Sequence, residues 1–381
     1  MDDVPPGPTS QGPRRPALSV VIPVFNGGLD FGRCLLRLRA SHGPHFELIV
    51  VDDGSTDGSA DLARSFGARV IRHESPGGPA LARNAGAQAA TADVVFFLDA
   101  DVAVHPHTIS RALDRFDADP GLTALFGSYD DRPDAPGVVS RFRNLLHHFV
   151  HQQGTFKNDL RPAHTFWTGC GAIRRRTFLD AGGFDPRLYE KPAIEDIELG
   201  YRLTLAGRRI VLARDVQATH LKRWTLASIV RTDVLQRGVP WLMLMKRLKV
   251  MENDLNVRRG QKVCVVLAGL FVLSLLAAPW LPASLALTAL CASAVVILNA
   301  EFYRFLARTQ GVAFASASVP LHLLYYNCCG VSVVLALALW HAGPRALRRG
   351  ESLPTPWLFR ARARRAAADR AAGMNSRSVP R

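Results

Sequence analysis

The chain has 381 residues, 48% of them hydrophobic, and carries 47 Lys and Arg against 32 Asp and Glu, a formal net charge of +15. Highly charged disordered chains are poor in apolar residues, so this composition excludes wholesale disorder. A basic excess in so apolar a chain implies either a nucleic-acid surface or a membrane segment beside anionic headgroups. The distribution of charge separates the two. Residues 1–200 hold 21 basic and 25 acidic side chains, residues 201–262 hold 14 and 4, residues 263–341 hold 2 and 1, and residues 342–381 hold 10 and 2. The positive charge thus flanks an apolar region on both sides. A nucleic-acid binder places basic residues among aromatics on a folded face. Basic flanks around apolar spans instead mark a membrane anchor. The expected partner is an anionic membrane and no nucleic acid.

In chain order, residues 1–16 contain Asp2, Asp3 and five prolines, which predicts a disordered arm and no signal peptide. Leu18 to Val24 reads as a buried strand ending in the turn Phe25-Asn26-Gly27-Gly28. Phe31 to Ala40 has helical spacing, and Phe46 to Val51 is a second buried strand. Ser59 to Phe66 is helical, and Ala68 to Ile71 is a third strand. Gly78 to Ala90 is an Ala-rich helix with Pro79 in its first turn, and Val94 to Leu98 is a fourth strand. Continuous apolar strands alternating with helices predict an α/β fold with a parallel sheet covered on both faces. Ligands bind such sheets beyond the carboxyl ends of the strands. Here those ends carry Asn26, Asp52, Asp53, Asp99 and Asp101. Any one carboxylate alone is equally a helix cap or turn residue, and Asp57 in Thr56-Asp57-Gly58-Ser59 reads that way. Asp99 and Asp101 differ. Two carboxylates one residue apart at a buried strand end repel each other, and a divalent cation such as Mg²⁺ or Mn²⁺ relieves that repulsion.

Trp224 to Val250 interleaves apolar and basic residues, which suits helices lying in a headgroup layer. No charge occurs from Val263 to Ala300, and Pro279 and Pro282 divide that run into spans of about 263–279 and 283–300. A third span is expected at about 317–340, with a re-entrant or Pro320-kinked path as the alternative. Arg258, Arg259 and Lys262 mark the start of the first span as cytoplasmic. Three crossings would leave Arg360, Arg362, Arg364 and Arg365 outside, against the positive-inside rule, whereas two or four would keep them inside. The domain plan is thus an arm (1–16), a globular domain (17–221), juxtamembrane helices (222–262), a membrane region (263–341) and a basic tail (342–381). The six cysteines form no CxxC pair, which fits a reducing cytoplasm. High Ala and Arg usage suggests a GC-rich bacterium, so the expected location is a bacterial inner membrane, multi-pass, with the globular domain cytoplasmic.

Ser19-Val20-Val21-Ile22-Pro23-Val24-Phe25-Asn26, Val51-Asp52-Asp53-Gly54-Ser55-Thr56-Asp57, Ala82-Arg83-Asn84-Ala85-Gly86 and Asp99-Ala100-Asp101 follow one another in that order. The set resembles family 2 glycosyltransferases of the GT-A fold, a Rossmann-like nucleotide-sugar-binding domain, over about residues 17–225. The resemblance implies that Asp53 holds the nucleotide base with Asp52 beside it, and that Pro23 and Val24 line the base pocket. It implies further that Arg83 approaches the diphosphate, that Asp99 contacts the ribose or metal, and that Asp101 binds the metal. Glu195-Asp196-Ile197-Glu198 looks like the acceptor-side motif of the same family, with Asp196 as general base and Glu195 beside it. An inverting transfer needs one such base opposite the leaving diphosphate. For Glu195 and Glu198, first-turn acids favoured by the helix dipole are the alternative. By the same resemblance His220 is the candidate third metal ligand; a hydrogen-bonded histidine under the membrane-proximal segment is the alternative. His147, His148 and His151 fall on one helix, in a solvated or acceptor-groove position.

These implications amount to a membrane-anchored, metal-dependent inverting transferase using a UDP- or GDP-sugar and a lipid-linked or envelope glycan acceptor. Gln236-Arg237-Gly238-Val239-Pro240-Trp241 is faintly similar to the QxxRW motif of processive synthases but lacks the Arg before Trp241, so transfer is expected to be non-processive. A sugar-1-phosphate nucleotidyltransferase would need a basic, Gly-rich loop after strand one, and Val24 to Asp30 has no basic residue. A non-catalytic scaffold on a transferase fold would be expected to have lost the carboxylates.

Overall fold

In a computed structural model, residues 16–249, 259–345 and 349 are described. The expected arm up to residue 15, Arg258 and the Arg-rich tail lie outside the described residues. The chain opens with β1 (Leu18–Val24), α1 (Gly28–Arg39), β2 (Phe46–Asp52), α2 (Ser59–Ser65), β3 (Arg69–Arg72), α3 (Pro79–Ala89) and β4 (Val94–Leu98). It continues through β5 (Val102–Val104), α4 (Thr108–Ala118), β6 (Ala124–Tyr129), α5 (Val138–Gln152), β7 (Leu160–Ala163) and β8 (Cys170–Arg174). Then come α6 (Arg175–Asp180), α7 (Glu195–Leu205) and β9 (Ile210–His220). Nine strands form one sheet in the order β3-β2-β1-β4-β8-β6-β9-β5, with β7 on β9.

The expectation of a wholly parallel sheet is corrected here. β1, β2, β3 and β4 are parallel, but β8 runs antiparallel to both β4 and β6, and β5 and β7 run antiparallel to β9. The first half has helical crossovers between its strands, which force parallel pairing, and the second half does not use them throughout. Strand order, not chain direction, reverses between the parallel neighbours β1 and β4: β2 and β3 are added on one side of β1 and β4 on the other, and open sheets bind ligands at such a switch point. β1 pairs with β4 only over Ser19 to Val21, so Pro23, which has no N–H to offer, lies past that ladder.

Packing carries the motifs to this edge. Gly86 of α3 lies on β1, where a Cβ would stand 2.3 Å from Val21 Cγ1. That close approach brings Arg83, one turn earlier on α3, to the carboxyl end of the sheet. Asn84 pins the second half to the first: its Nδ2 donates to Phe184 O at 2.8 Å and its Oδ1 accepts from Phe184 N at 2.9 Å.

Beyond the sheet lie α8 (Leu226–Arg231), a π-helical stretch (Thr232–Gly238) and α9 (Val239–Leu248). They are followed by α10 (Arg259–Ala277), α11 (Ser284–Leu298), α12 (Ala300–Gln310), α13 (Val312–Ala317) and α14 (Val319–Ala342). Gly260–Ala277 and Val312–Ala342 are each long and apolar enough to cross a membrane. The expected span at 283–300 is shorter and bent. α11 has 15 residues, about 22 Å of helix, and the chain turns by 75° into α12. α12 then packs Phe302, Tyr303 and Leu306 against Phe142 and Leu145 of α5. The 226–248 segment is sandwiched, with Val234, Val239 and Met243 against α14 and Leu244 in the apolar layer beside the sheet.

Two helical glycines test this packing in opposite directions. On α7, a Cβ at Gly200 would lie 2.3 Å from Phe166 N, a backbone atom that cannot swing away. Gly200→Ala should destabilise the protein by about 1–3 kcal/mol. At Gly32 of α1 the nearest atom would be Leu62 Cδ2 at 3.7 Å, so Gly32→Ala should raise stability by up to about 1 kcal/mol through helix propensity. Thermal unfolding in detergent checks both, and a Gly200→Ala protein that melts with the wild type contradicts the docking described.

Candidate active site

The loops after β1 and β2 are laced together. Asn26, at φ +50°, accepts from Thr56 N at 2.9 Å and donates its own N–H to Ser55 Oγ at 2.9 Å. Asp57 accepts from Gly28 N at 2.9 Å and from Ser59 N at 3.1 Å, a turn and capping role. Asp52 is fully buried, accepts from Ser55 N at 2.9 Å, and has the Arg72 guanidinium 3.4 Å from Oδ2. Asp53 accepts from Gly77 N at 3.0 Å and Gly78 N at 2.7 Å, and His73 Nδ1 lies 2.7 Å from its Oδ1. That carboxylate therefore clamps the loop leading into α3. Pro23 is half-buried at the site edge, whereas the Val24 side chain is packed in the core. Phe25, 53% exposed beside them, is a further apolar surface that the motif reading passed over.

Arg83 stands at the centre. Its Nη2 donates to Asp99 Oδ1 at 2.6 Å and its Nη1 to Glu195 Oε1 at 2.9 Å. The guanidinium is buried, which opposes its charge, but the charges of Asp99 and Glu195 more than offset this and push its pKa well up. Asp99 and Glu195 come from opposite halves of the fold, and one side chain ties them.

Asp101 turns the other way, with Oδ2 3.6 Å from His220 Nε2. Burial works against the Asp101 carboxylate, yet the charge of His220 and then of Lys222 holds its pKa below the usual value. Asn144 Oδ1 lies 2.8 Å from His220 Nδ1, and Tyr129 stacks on the imidazole at 4.2 Å. With Nδ1–H donating to Asn144, Nε2 faces Asp101: in the charged ring it is a donor to that carboxylate, and in the neutral ring it is a ligand atom. Among the described residues no three His, Cys, Asp or Glu side chains are grouped to hold a metal ion by themselves. A carboxylate oxygen and an imidazole nitrogen nevertheless fit Mg²⁺ or Mn²⁺. Such ions keep several waters and take substrate phosphate oxygens beside one or two protein ligands.

Asp196 opens α7. Its Oδ1 accepts from Ile197 N at 2.8 Å, and its Oδ2 accepts from Thr168 N at 3.2 Å and Thr168 Oγ1 at 3.3 Å. Burial first, and then the neighbouring charge of Glu195, push its pKa up to about 6. A carboxylate with a raised pKa is a better proton acceptor. Asp196 also lines a cavity of about 370 Å³ with Trp167 and His147. The sequence pattern gives roles to Glu195 and Asp196, whereas Thr168 stands in it only at the head of the glycine-edged strand Thr168-Gly169-Cys170-Gly171; the structure shows it holding Asp196 from 28 residues away.

Replacing Arg83 leaves Asp99 and Glu195 facing one another without their shared cation. Removing one partner of a buried ionic network costs about 3–5 kcal/mol, so Arg83→Met should show that loss. Arg83→Lys keeps one charge without the two-pronged reach and should fall between. Thermal unfolding of the two variants measures this, and an unchanged melting point in Arg83→Met would contradict the bridging role.

Residues 19–182 match the family described as Glycosyl transferase family 2. An uncharacterized protein of Mycobacterium tuberculosis (strain CDC 1551 / Oshkosh) is 28% identical over 253 residues, covering 62% of this chain and 78% of its own length. The validoxylamine A glucosyltransferase of Streptomyces hygroscopicus subsp. limoneus is 31% identical over 251 residues, 56% of this chain. The chain spans 54% of that relative's length. Among solved structures, the mannosyltransferase PcManGT from Pyrobaculum calidifontis, in complex with GDP-Man and Mn²⁺, aligns with a TM-score of 0.52 at 17% identity. That alignment covers 85% of this chain and 87% of the other. Sheet order, motif positions and these likenesses agree: residues 19–182 match the family 2 glycosyltransferase model, on a fold shared with that mannosyltransferase.

Proposed function

We propose that this protein is a membrane-anchored, inverting glycosyltransferase that moves one sugar at a time from a nucleotide-diphosphate donor to a hydroxyl of a lipid-linked or envelope glycan acceptor. The observation that carries the reading is the Arg83 bridge from Asp99 to Glu195, which makes the donor edge and the acceptor base parts of one centre. The switch in strand order between β1 and β4 supports a nucleotide-sugar at that edge, as does the GDP-Man held by PcManGT. Mn²⁺ in that neighbour's complex supports a divalent cation here, with Asp101 and His220 as its holders. When bound, such an ion supplies positive charge for the leaving diphosphate.

The chain's own residues then do the following. Thr168 fixes the Asp196 carboxylate in place. Asp196 takes the proton of the acceptor hydroxyl. The freed oxygen bonds to the anomeric carbon on the face opposite the diphosphate, whose bond to that carbon breaks. Arg83 keeps Asp99 and Glu195 from repelling each other across the site. Two helices long and apolar enough to span support anchoring. The basic residues around them support an inner membrane with the catalytic domain on the cytoplasmic side.

Two measurements check the roles. Asp196→Asn should lower transfer by about 10²–10⁴-fold. Because the base must be ionised, wild-type kcat/KM should be level above pH 6 and fall as pH drops through about 6. Asp101→Ala should remove the dependence of nucleotide release on Mn²⁺ together with most of the rate. Full activity in either variant would sink the assignment of that residue.

A further inference from the structure

The cavity at Asp196 contains none of the donor-side residues. Its walls come from α5, from the 165–167 segment, from the π-helical stretch and α9, and from α10 and α14. It therefore runs from the candidate base to the two helices long enough to cross a membrane. The far wall is largely apolar, with Val265, Leu242, Met245 and Val333 among its residues. Against that wall stand three cationic side chains. Arg143 is buried and ion-paired with Asp233. Arg237 is half-buried on the π-helical stretch and, among the described residues, makes no hydrogen bond or ion pair, although its charge acts at longer range on Asp196 in the same cavity. Lys262 stands exposed at the start of α10. His147 and Asp233 also line the cavity, with His147 Nδ1 and Asp233 Oδ2 themselves closed off from it and without hydrogen-bond partners. An unpaired guanidinium in an apolar cavity is costly unless an anion meets it.

We propose that this cavity holds the acceptor as an anionic amphiphile, with its anionic group on Arg237, its reacting hydroxyl at Asp196 and its apolar chain between α10 and α14. The inference rests on Asp196 being the base. Charge selects the occupant. A neutral glycolipid would leave the Arg237 donor fork without a hydrogen-bonding anion, with only the longer-range charge of Asp196 to meet it, while a phosphate matches that planar fork. The volume suits a headgroup with a stretch of chain. Lys262 adds attraction where the cavity meets the membrane side.

The test uses the full chain in nanodiscs of zwitterionic lipid, with a long-chain alkyl phosphate bearing a diazirine on its chain. Irradiation should label α14 between Tyr325 and Val333, or α9. Unlabelled alkyl phosphate should suppress labelling about tenfold more effectively than an alkyl glucoside of equal chain length, the scale of one charge-assisted hydrogen bond. In Arg237→Gln that preference should shrink to about twofold or less, and Arg237→Lys should keep part of it. Equal suppression by the two competitors in the wild type overturns the proposal. So does label outside the cavity, or a preference that survives in Arg237→Gln. Arg237→Gln protein that binds nucleotide diphosphate more weakly but keeps its phosphate preference overturns it too, by assigning Arg237 to the donor. If the Gln variant does not fold, the wild-type competition and the Lys variant still decide. Labelling needs no turnover. A failed base assignment would therefore appear separately, as undiminished transfer by Asp196→Asn with labelling intact.

Discussion

Arg83 is the constraint on which the catalytic centre depends. A buried guanidinium must be matched by charge, and here it is matched by carboxylates that lie on different halves of the chain. Asp99 comes from the loop after β4, among the parallel strands. Glu195 comes from α7, beyond the antiparallel strands. Each carboxylate alone would be an isolated buried or part-buried charge beside another acid, Asp101 in one case and Asp196 in the other. The fork satisfies both at once. Asp101 is left for His220 and Asp196 for the cavity, so neighbouring acids acquire separate work. Their electrostatics diverge accordingly. The Asp101 carboxyl is held below its usual pKa, and that of Asp196 is raised to about 6.

The same economy of charge runs into the helical half. The catalytic sheet and its helices are close to balanced in sign, and the positive excess lies where the chain leaves them. Part of it is not at the surface. Arg143 and Arg237 face the cavity between sheet and helices, where one is neutralised by Asp233 and the other is not. α12, turned by 75° from α11, lays its aromatic face on α5. The Tyr326 hydroxyl of α14 lies 2.8 Å from both Gln261 Oε1 and Asn299 Oδ1, donating its one proton to one of them, and so fastens the starts of α10 and α14 and the end of α11 at one level.

Much of this was legible in the sequence, for identifiable reasons. β1, β2 and β4 are continuous apolar runs, and their ends carry carboxylates, so both the strands and the donor edge could be read directly. The second half was harder. β7 is four residues long and contains Pro162, and the pairing of β6 with β9 shifts register between Phe126 and Ser128. Short or bulged strands give no clean period. The break at Asn299 lies within an uncharged stretch, and its cause is tertiary: the Asn299 side chain serves Tyr326 and the Val295 carbonyl. Long-range partners were invisible for the same reason. Arg83 meets Glu195 across 112 positions and Arg143 meets Asp233 across 90. In the sequence Arg237 stands among the basic residues of the amphipathic 224–250 segment and in an incomplete motif; its place in the cavity wall comes from the way α14 packs on the π-helical stretch.

The central claim is that donor and acceptor halves act as one site through Arg83. A double-mutant cycle measures it most directly, using Asp99→Asn, Glu195→Gln and the pair, with kcat/KM for sugar transfer as the readout. Residues joined in one network couple by about 0.5–3 kcal/mol, so the double variant should depart from the sum of the singles by at least about 1 kcal/mol. Losses that add to within about 0.5 kcal/mol would mean two independent sites and would contradict the account.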